Sequence, residues 1–318
     1  MKILQNVRKV PGGMIVVPLI IGAIINTFIP QVIGIGGFTE ALGNKGFATL
    51  CAANMFCVGT KLTLRGAPKI LKKGFSIMFA KVGIASLIGL AIAKFFNGSL
   101  LGLSTLAVLA AMNDTNGGMF LALTTEMGTE EDCATTVVQS VETGPFLTML
   151  VLSGTGLAKI PYMAMVAVLV PIIVGAVLGN VDKEVRDFCS KHQEVIIPFL
   201  GFALGDGINL KNLVHAGGSG LLLGILTVVF TGIACILADV LTGGSGVAGA
   251  AASTTAGNAA ATPAAVAMSD HSYAAVSPVA TLQVAASIIV TSILTPILTT
   301  FIYKRNKRKE LEQSHQVS

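Results

Sequence analysis

Asn113-Asp114-Thr115-Asn116-Gly117-Gly118 interrupts an otherwise apolar run between residues 100 and 123. A run of that length crosses a bilayer as a helix. Polar side chains and paired glycines halfway through it are costly unless they line a cavity or meet partners. A second run, residues 243–268, is interrupted at similar depth by Ser253-Thr254-Thr255-Ala256-Gly257-Asn258 and then by Thr262-Pro263. Two broken membrane helices at matching places in two halves of a chain predict the substrate site of a secondary transporter.

The rest of the chain fits that setting. Of its 318 residues 53% are hydrophobic and 12% charged, with a mean hydropathy of +0.79. Soluble domains carry about 25% charged residues, so the charge is half that of a globular enzyme and falls between long apolar runs. This composition predicts an all-α polytopic membrane protein. The formal charge of +5 belongs to loops and tail and does not signal nucleic-acid binding. Five scattered cysteines and four histidines without ligand spacing predict no metal site and no disulfide framework. No phosphate-binding loop, zinc-protease helix or nucleophile elbow is present, so the reading is not an enzyme, without cofactor. With no nucleotide domain, transport runs on an ion gradient or passively.

Ten spans fit: residues 12–30, 46–62, 73–96, 100–123, 133–157, 162–181, 195–210, 213–240, 243–268 and 273–303. Residues 182–194 read as a solvated loop between spans six and seven. Basic residues gather at Lys2, Arg8 and Lys9, at Lys61 to Lys73, at Lys183, Arg186 and Lys191, and at Lys304 to Lys309. The opposite loops hold Lys45, Lys94, Lys159 and Lys211. That asymmetry predicts cytoplasmic termini.

An internal repeat links the halves. Pro18-x-x-x-Gly22-Ala23 matches Pro171-x-x-x-Gly175-Ala176, and Phe56-x-x-Gly59-x-x-Leu62-x-Leu64-Arg65 matches Phe202-x-x-Gly205-x-x-Ile208-x-Leu210-Lys211. Thr115-x-Gly117 matches Thr255-x-Gly257, and Gln139 matches Gln283. Five spans per copy is odd, so the second copy inserts upside down. The expected organisation is a first five-helix repeat over 1–157, an inverted second over 158–303 and a basic tail over 304–318. Helices four and nine are expected to be broken.

Two acids lie deep in this scheme. Asp114 is ~21 Å along span four and Glu142 ~14 Å along span five, which reads as a continuous helix. An ionised carboxylate is penalised in so poorly solvated a place, and binding a proton relieves the penalty. Both are proton-coupling candidates; a purely structural carboxylate held by Asn or Thr donors is the plainer alternative. Where a helix restarts, its first N–H groups are unpaired and attract anions. Thr115 or Asn116 is expected to cap the restart of span four, with Gly117 and Gly118 allowing close backbone approach, and Thr262-Pro263 to cap that of span nine. Gln139, Ser140 and Gln283 are supporting polar candidates, with interhelical bonding an equal alternative for the glutamines. Lys81 is expected to snorkel or to pair with an acid. Asp239 and Asp270 read as interfacial.

The Asn-Asp-Thr-Asn-Gly-Gly stretch, the Thr-Thr-Ala-Gly-Asn-Ala-Ala-Ala-Thr-Pro stretch and the Val-Pro-Gly-Gly-Met opening resemble the bacterial 2-keto-3-deoxygluconate permeases. The resemblance runs from Met1 to Tyr303. It implies an inner-membrane proton symporter that imports 2-keto-3-deoxygluconate by alternating access, with kinship to the bile acid/sodium symporters, and so implies that the broken helices four and nine cross. By motif position the substrate-binding candidates are Asn113, Thr115, Asn116, Gly117, Thr254, Thr255, Asn258 and Thr262, beside Asp114. The sodium-dependent relatives hold ions with acidic and amide side chains, so a sodium-coupled carrier of another small organic anion stays open as the alternative. A channel ranks third and an intramembrane enzyme last. Oligomeric state is unassigned.

Overall fold

The computed structural model describes residues 2–9, 13–61, 68–142, 144–206 and 217–317. Parts of several expectations lie outside these: the Val-Pro-Gly of the opening, Leu62, Leu64, Arg65, Ile208, Leu210 and Lys211 of the repeat, and the boundary between spans seven and eight. The described chain is almost wholly helical; one two-residue hairpin, β1 Ser99–Leu100 with β2 Leu103–Ser104, is its sheet.

In order, the helices are α1 (Ile3–Lys9), α2 (Gly13–Phe28), α3 (Gly37–Leu42), α4 (Phe47–Thr60), α5 (Pro68–Phe95), α6 (Thr105–Met112) and α7 (Gly117–Met127). Then come α8 (Glu130–Ala134), α9 (Thr136–Gln139), α10 (Phe146–Gly154), α11 (Tyr162–Val181) and α12 (Lys183–Asp206). The last are α13 (Gly217–Leu226), α14 (Gly232–Leu241), α15 (Val247–Ala251), α16 (Thr262–Ser269) and α17 (Ser277–Val317). Among the described residues, three stretches are long and apolar enough to cross a bilayer unbroken: Pro68–Phe95, Gly218–Leu241 and Ser277–Lys309. Val17–Phe28, Phe47–Thr60 and Leu169–Val181 are shorter apolar helices. The molecule is an all-helical membrane protein whose apolar surface is largely outside: Ile21, Leu87, Val177, Leu237 and Ile297 are all exposed, as side chains facing lipid are.

The helices sort into two groups. α2 lies along α12 and α4 along α11, with α12 also touching α4 and α11. The other group holds α5 against α6 and α14, and α17 against α13, α15, α16 and α6. Glycine sets the crossings of the first group. A methyl on Gly22 would strike the Phe202 carbonyl and come within 3.0 Å of the Asp206 amide. A methyl on Gly175 would strike the Phe56 carbonyl and come within 3.0 Å of the Thr60 amide. Gly205 meets the Leu19 carbonyl as Gly59 meets that of Ile172. The two crossings thus use the same positions of the repeat motifs in exchanged roles, and small residues let the backbones touch. In the second group Gly220 and Gly224 seat α13 on Ala286 and Val290 of α17.

Several expectations change. Residues 183–194 are helical, not a loop: Asp182 accepts the Glu184 amide (2.7 Å), and no glycine or proline interrupts the segment before Pro198, so α12 runs from the polar surface into the apolar layer. Span five is not continuous. Pro145 lacks an N–H and disfavours helix at the preceding residue, and Gly144 has φ +106°, which glycine alone adopts readily. The helix therefore dissolves after the 3-10 turn Ser140–Glu142 and restarts at Phe146. Asp239, near the end of the span Gly218–Leu241 as expected, is also buried. With Asp132 it holds the buried Lys73, at 3.1 Å from Asp239, and its other oxygen accepts the Gly249 amide at 3.1 Å. Burial this complete demands such pairing.

Candidate substrate and coupling site

Helix α6 ends where Asn113, its C-cap, donates its amide to Leu109 O (3.1 Å). The chain then runs extended to Asn116, whose side-chain oxygen accepts the Met119 amide (3.0 Å) and so caps α7. Helix α15 ends at Ala251, and Thr254 to Ala256 run extended before a 3-10 helix, Gly257–Ala261, leads into α16. The breaks meet. The Ala256 amide donates to Asp114 O (3.0 Å), and the Asn116 amide donates to Thr254 Oγ1 (2.8 Å). Backbone groups that a continuous helix would satisfy internally are thus satisfied by the other broken helix, as a membrane interior requires.

The restart of the second span differs from expectation. Thr262 does not cap it: the alanine-rich stretch from Gly257 already winds into 3-10 turns, so the chain is helical before Thr262-Pro263, which form the first turn of α16. Thr262 is buried and its hydroxyl has no partner among the described residues.

A cavity of about 500 Å³ opens where the breaks meet, within the range for small-molecule sites. Thr115, Asn116, Gly117 and Asn258 line it, as do Gly118, Ala256 and Gly257. Gly117 and Gly118 are the first two residues of α7, and Gly257 and Asn258 the first two of the 3-10 helix. The N–H groups of both pairs lack an intrahelical acceptor. The cavity's other wall comes from Arg8 of α1, Asn54 of α4, Lys61 just after it and Gln193 of α12. Gln193 donates to Asn54 (2.9 Å), and Arg8 pairs with Glu194 at the mouth. A second cavity of about 430 Å³ shares Asn54, Leu200 and Asn258 with the first and reaches Gly144 and Pro145. Sequence reasoning missed Asn54 and Gln193, because a single amide on a helix gives no signal until its partner across the cavity is known.

The remaining candidates sit behind this surface. Asn113 donates to Thr148 (3.3 Å), and Thr255 bonds Ser287 (2.8 Å) and, through its amide, Thr291 (3.1 Å). Gln139 donates to Gly74 O (3.1 Å), and Gln283 to Gly102 O and Ser219 (2.7 and 2.8 Å), so both glutamines tie helices together instead of facing the cavity. The side chain of Ser140 lies outside the described set.

Asp114 and Glu142 are both buried and half satisfied. Asp114 Oδ2 accepts the Gly144 amide (3.2 Å), and Glu142 Oε1 accepts from Thr115 Oγ1 (3.0 Å). The second oxygen of each accepts nothing among the described residues. Lys81 does not snorkel. It has no exposed surface, and among the described residues it makes no ion pair with either acid; its ammonium donates to Thr115 Oγ1 (2.6 Å), Ala252 O (2.9 Å) and Thr254 O (2.9 Å). Thr115 stands between lysine and glutamate. No cluster of metal-ligating side chains occurs among the described residues.

A helical membrane protein whose two interrupted helices meet at a cavity has the features expected of a transporter. The comparisons name the kind. The family model of the 2-keto-3-deoxygluconate permeases matches residues 4–308. Among curated proteins, 2-keto-3-deoxygluconate permease 1 of Salmonella typhimurium is 48% identical over 310 residues, covering 97% of this chain and 98% of the relative. The 2-keto-3-deoxygluconate permease of Bacillus subtilis is 41% identical over 318 residues (98% and 96%), and that of Xanthomonas oryzae pv. oryzae 39% over 317 (97% and 99%). The chain belongs to the 2-keto-3-deoxygluconate permease family. It is a permease, not an enzyme.

Proposed function

We propose that this protein is a proton-coupled symporter that brings 2-keto-3-deoxygluconate across the bacterial inner membrane by alternating access, with both termini cytoplasmic. The observation that carries the reading is the cavity lined by two helix starts, Gly117–Gly118 and Gly257–Asn258, whose N–H groups have no acceptor within their own helices. Such groups bind a carboxylate through hydrogen bonds and partial positive charge. Asn116, Asn258, Asn54 and Gln193 offer amides suited to the hydroxyls and keto group of a sugar acid. Lys61 and Arg8, the latter paired with Glu194, lie at the mouth on the face that the charge asymmetry assigns to the cytoplasm, the side to which an imported anion is released. The relatives' names supply the particular sugar acid.

Behind the cavity, Asp114 and Glu142 are the proton carriers. Each keeps one buried oxygen without a hydrogen-bond donor, where a proton is accepted with no bond to break. A proton there lowers the cost of an anion beside two carboxylates, and that links the two cargoes. The exchanged glycine contacts of Gly22 and Gly175 support ten spans in two inverted five-helix repeats, residues 1–157 and 158–303, and the first helix group is the frame against which the crossed helices rock.

The test is uptake of labelled 2-keto-3-deoxygluconate into proteoliposomes under an inward proton gradient, with choline in place of sodium. Accumulation is expected to persist without sodium. It is expected to vanish in Asp114→Asn and in Glu142→Gln, while counterflow of labelled for unlabelled sugar acid survives. Undiminished uphill uptake in both variants rules out these acids as carriers.

A further inference from the structure

Lys81 lies in the body of α5, and its ammonium spends all three of its N–H donors on oxygens of the two breaks. One acceptor is the Thr115 hydroxyl of the first break. The other two are the carbonyls of Ala252 and Thr254, freed where α15 stops, at the end of a helix that carries partial negative charge. The Thr115 hydroxyl passes a further bond to Glu142 Oε1, so a carboxylate backs the site without touching the ammonium. Two backbone carbonyls and a hydroxyl, sealed from solvent and facing buried negative charge, form the kind of oxygen shell that replaces the hydration of a small monovalent cation.

We infer that the Lys81 ammonium is the resident cation of an oxygen-lined site at the helix crossing. The crossing is held together by a charge tethered to α5, and no free ion is needed there. Cutting the side chain back uncovers a site for a free cation of ammonium or sodium size. The inference rests on the proposed function, in which the proton is the coupling ion, and deepens it: the oxygen-lined place between the breaks already holds a tethered cation. The spacing that relates Phe56 to Phe202 carries Lys81 onto Thr227, whose hydroxyl bonds Leu223 O one turn back. The tethered cation therefore belongs to one half of the chain.

The experiment uses the full-length protein in detergent, with melting followed by loss of monodisperse protein on gel filtration in sodium, ammonium or choline chloride at equal ionic strength. The wild type is expected to melt at the same temperature in all three. Lys81→Ala is expected to melt roughly 10 °C lower in choline, since its former partners are left buried and unpaired, and to recover at least half of that loss, saturably, in ammonium. Lys81→Met, which fills the space without charge, is expected to stay low in every salt. Saturable stabilisation of the wild type by sodium overturns the inference. So does a Lys81→Ala protein equally unstable in all three salts, or a Lys81→Met protein as stable as wild type. Should Lys81→Ala not survive extraction in choline, extraction in ammonium throughout is the readout: monodisperse protein supports the inference and its absence overturns it. No arm contains sugar acid or a proton gradient, so failure here leaves the uptake test of the proposed function standing, and the reverse.

Discussion

The first break and the second have the same geometry and different chemistry. In each, a helix stops in mid-chain, a short non-helical stretch follows, and an amide within it bonds to the other break: Ala256 to Asp114, Asn116 to Thr254. The first break carries a carboxylate, a side-chain cap and the hydroxyl that links lysine to glutamate. The second is neutral, with Thr254 where the first has Asp114, Ala256 where the first has the capping Asn116, and a 3-10 turn in place of an α-helical start. Backbone satisfaction in a bilayer constrains both arms equally, because every buried N–H and C=O needs a partner. Proton chemistry needs only one group, so it can sit on one arm. In the proposed cycle, symmetry belongs to the scaffold and asymmetry to the coupling.

That contrast breaks or stands on substitutions made at equivalent places. The largest difference is expected at the acid: Asp114→Asn loses proton-driven accumulation by more than ~100-fold, whereas Thr254→Val, its counterpart, loses about 10-fold by removing one hydrogen bond of ~1.5 kcal/mol. Equal losses in an uptake assay would erase the distinction. Next come the crossings, where symmetry should hold. Gly22→Ala and Gly175→Ala each force backbones apart and are expected to destabilise by about 1–3 kcal/mol, with melting temperatures that fall together; a drop in one alone would separate the halves.

Smaller still is the cap. Asn116→Ala is expected to cost about 1 kcal/mol and to weaken sugar-acid binding in titration calorimetry, whereas Ala256→Ser leaves binding within about twofold, because the 3-10 start gives a hydroxyl there less to cap. The smallest effect is at the loop between α16 and α17. Hydrogen bonds from the Ser272 side chain and amide, then from the Lys159 amide, hold the Asp270 carboxyl below the usual carboxylate range. A lowered carboxylate stabilises above its unfolded pKa and loses that contribution as pH falls through the folded one. Asp270→Asn should therefore melt within about 2 °C of wild type at neutral pH, and the gap should close on acidification.

Much of the site was legible before any coordinates. Asn113 to Gly118 and Ser253 to Asn258 are polar islands in apolar runs, and a bilayer tolerates those only for a reason, so both breaks could be located to the residue. A cap at Thr115 or Asn116 followed from residue type alone, and the structure selects Asn116. Other readings failed where the deciding partner is remote or the local signal is double-edged. Gly144-Pro145 breaks span five, yet either residue also occurs within membrane helices. Residues 183–194 are polar enough for a loop, but nothing in them stops a helix.

Membrane residence, the two breaks and the buried acids were determined by the sequence by itself, because an apolar solvent makes each polar residue in a span a conspicuous exception. The tertiary structure decided which polar groups face the cavity and which are used up in packing. Lys81, Gln139 and Gln283 are alike in sequence, single polar residues in apolar helices, and all three proved to hold neighbouring segments together. Direction and partner depend on how helices far apart in the chain rotate against one another, and periodicity within one helix carries no record of that.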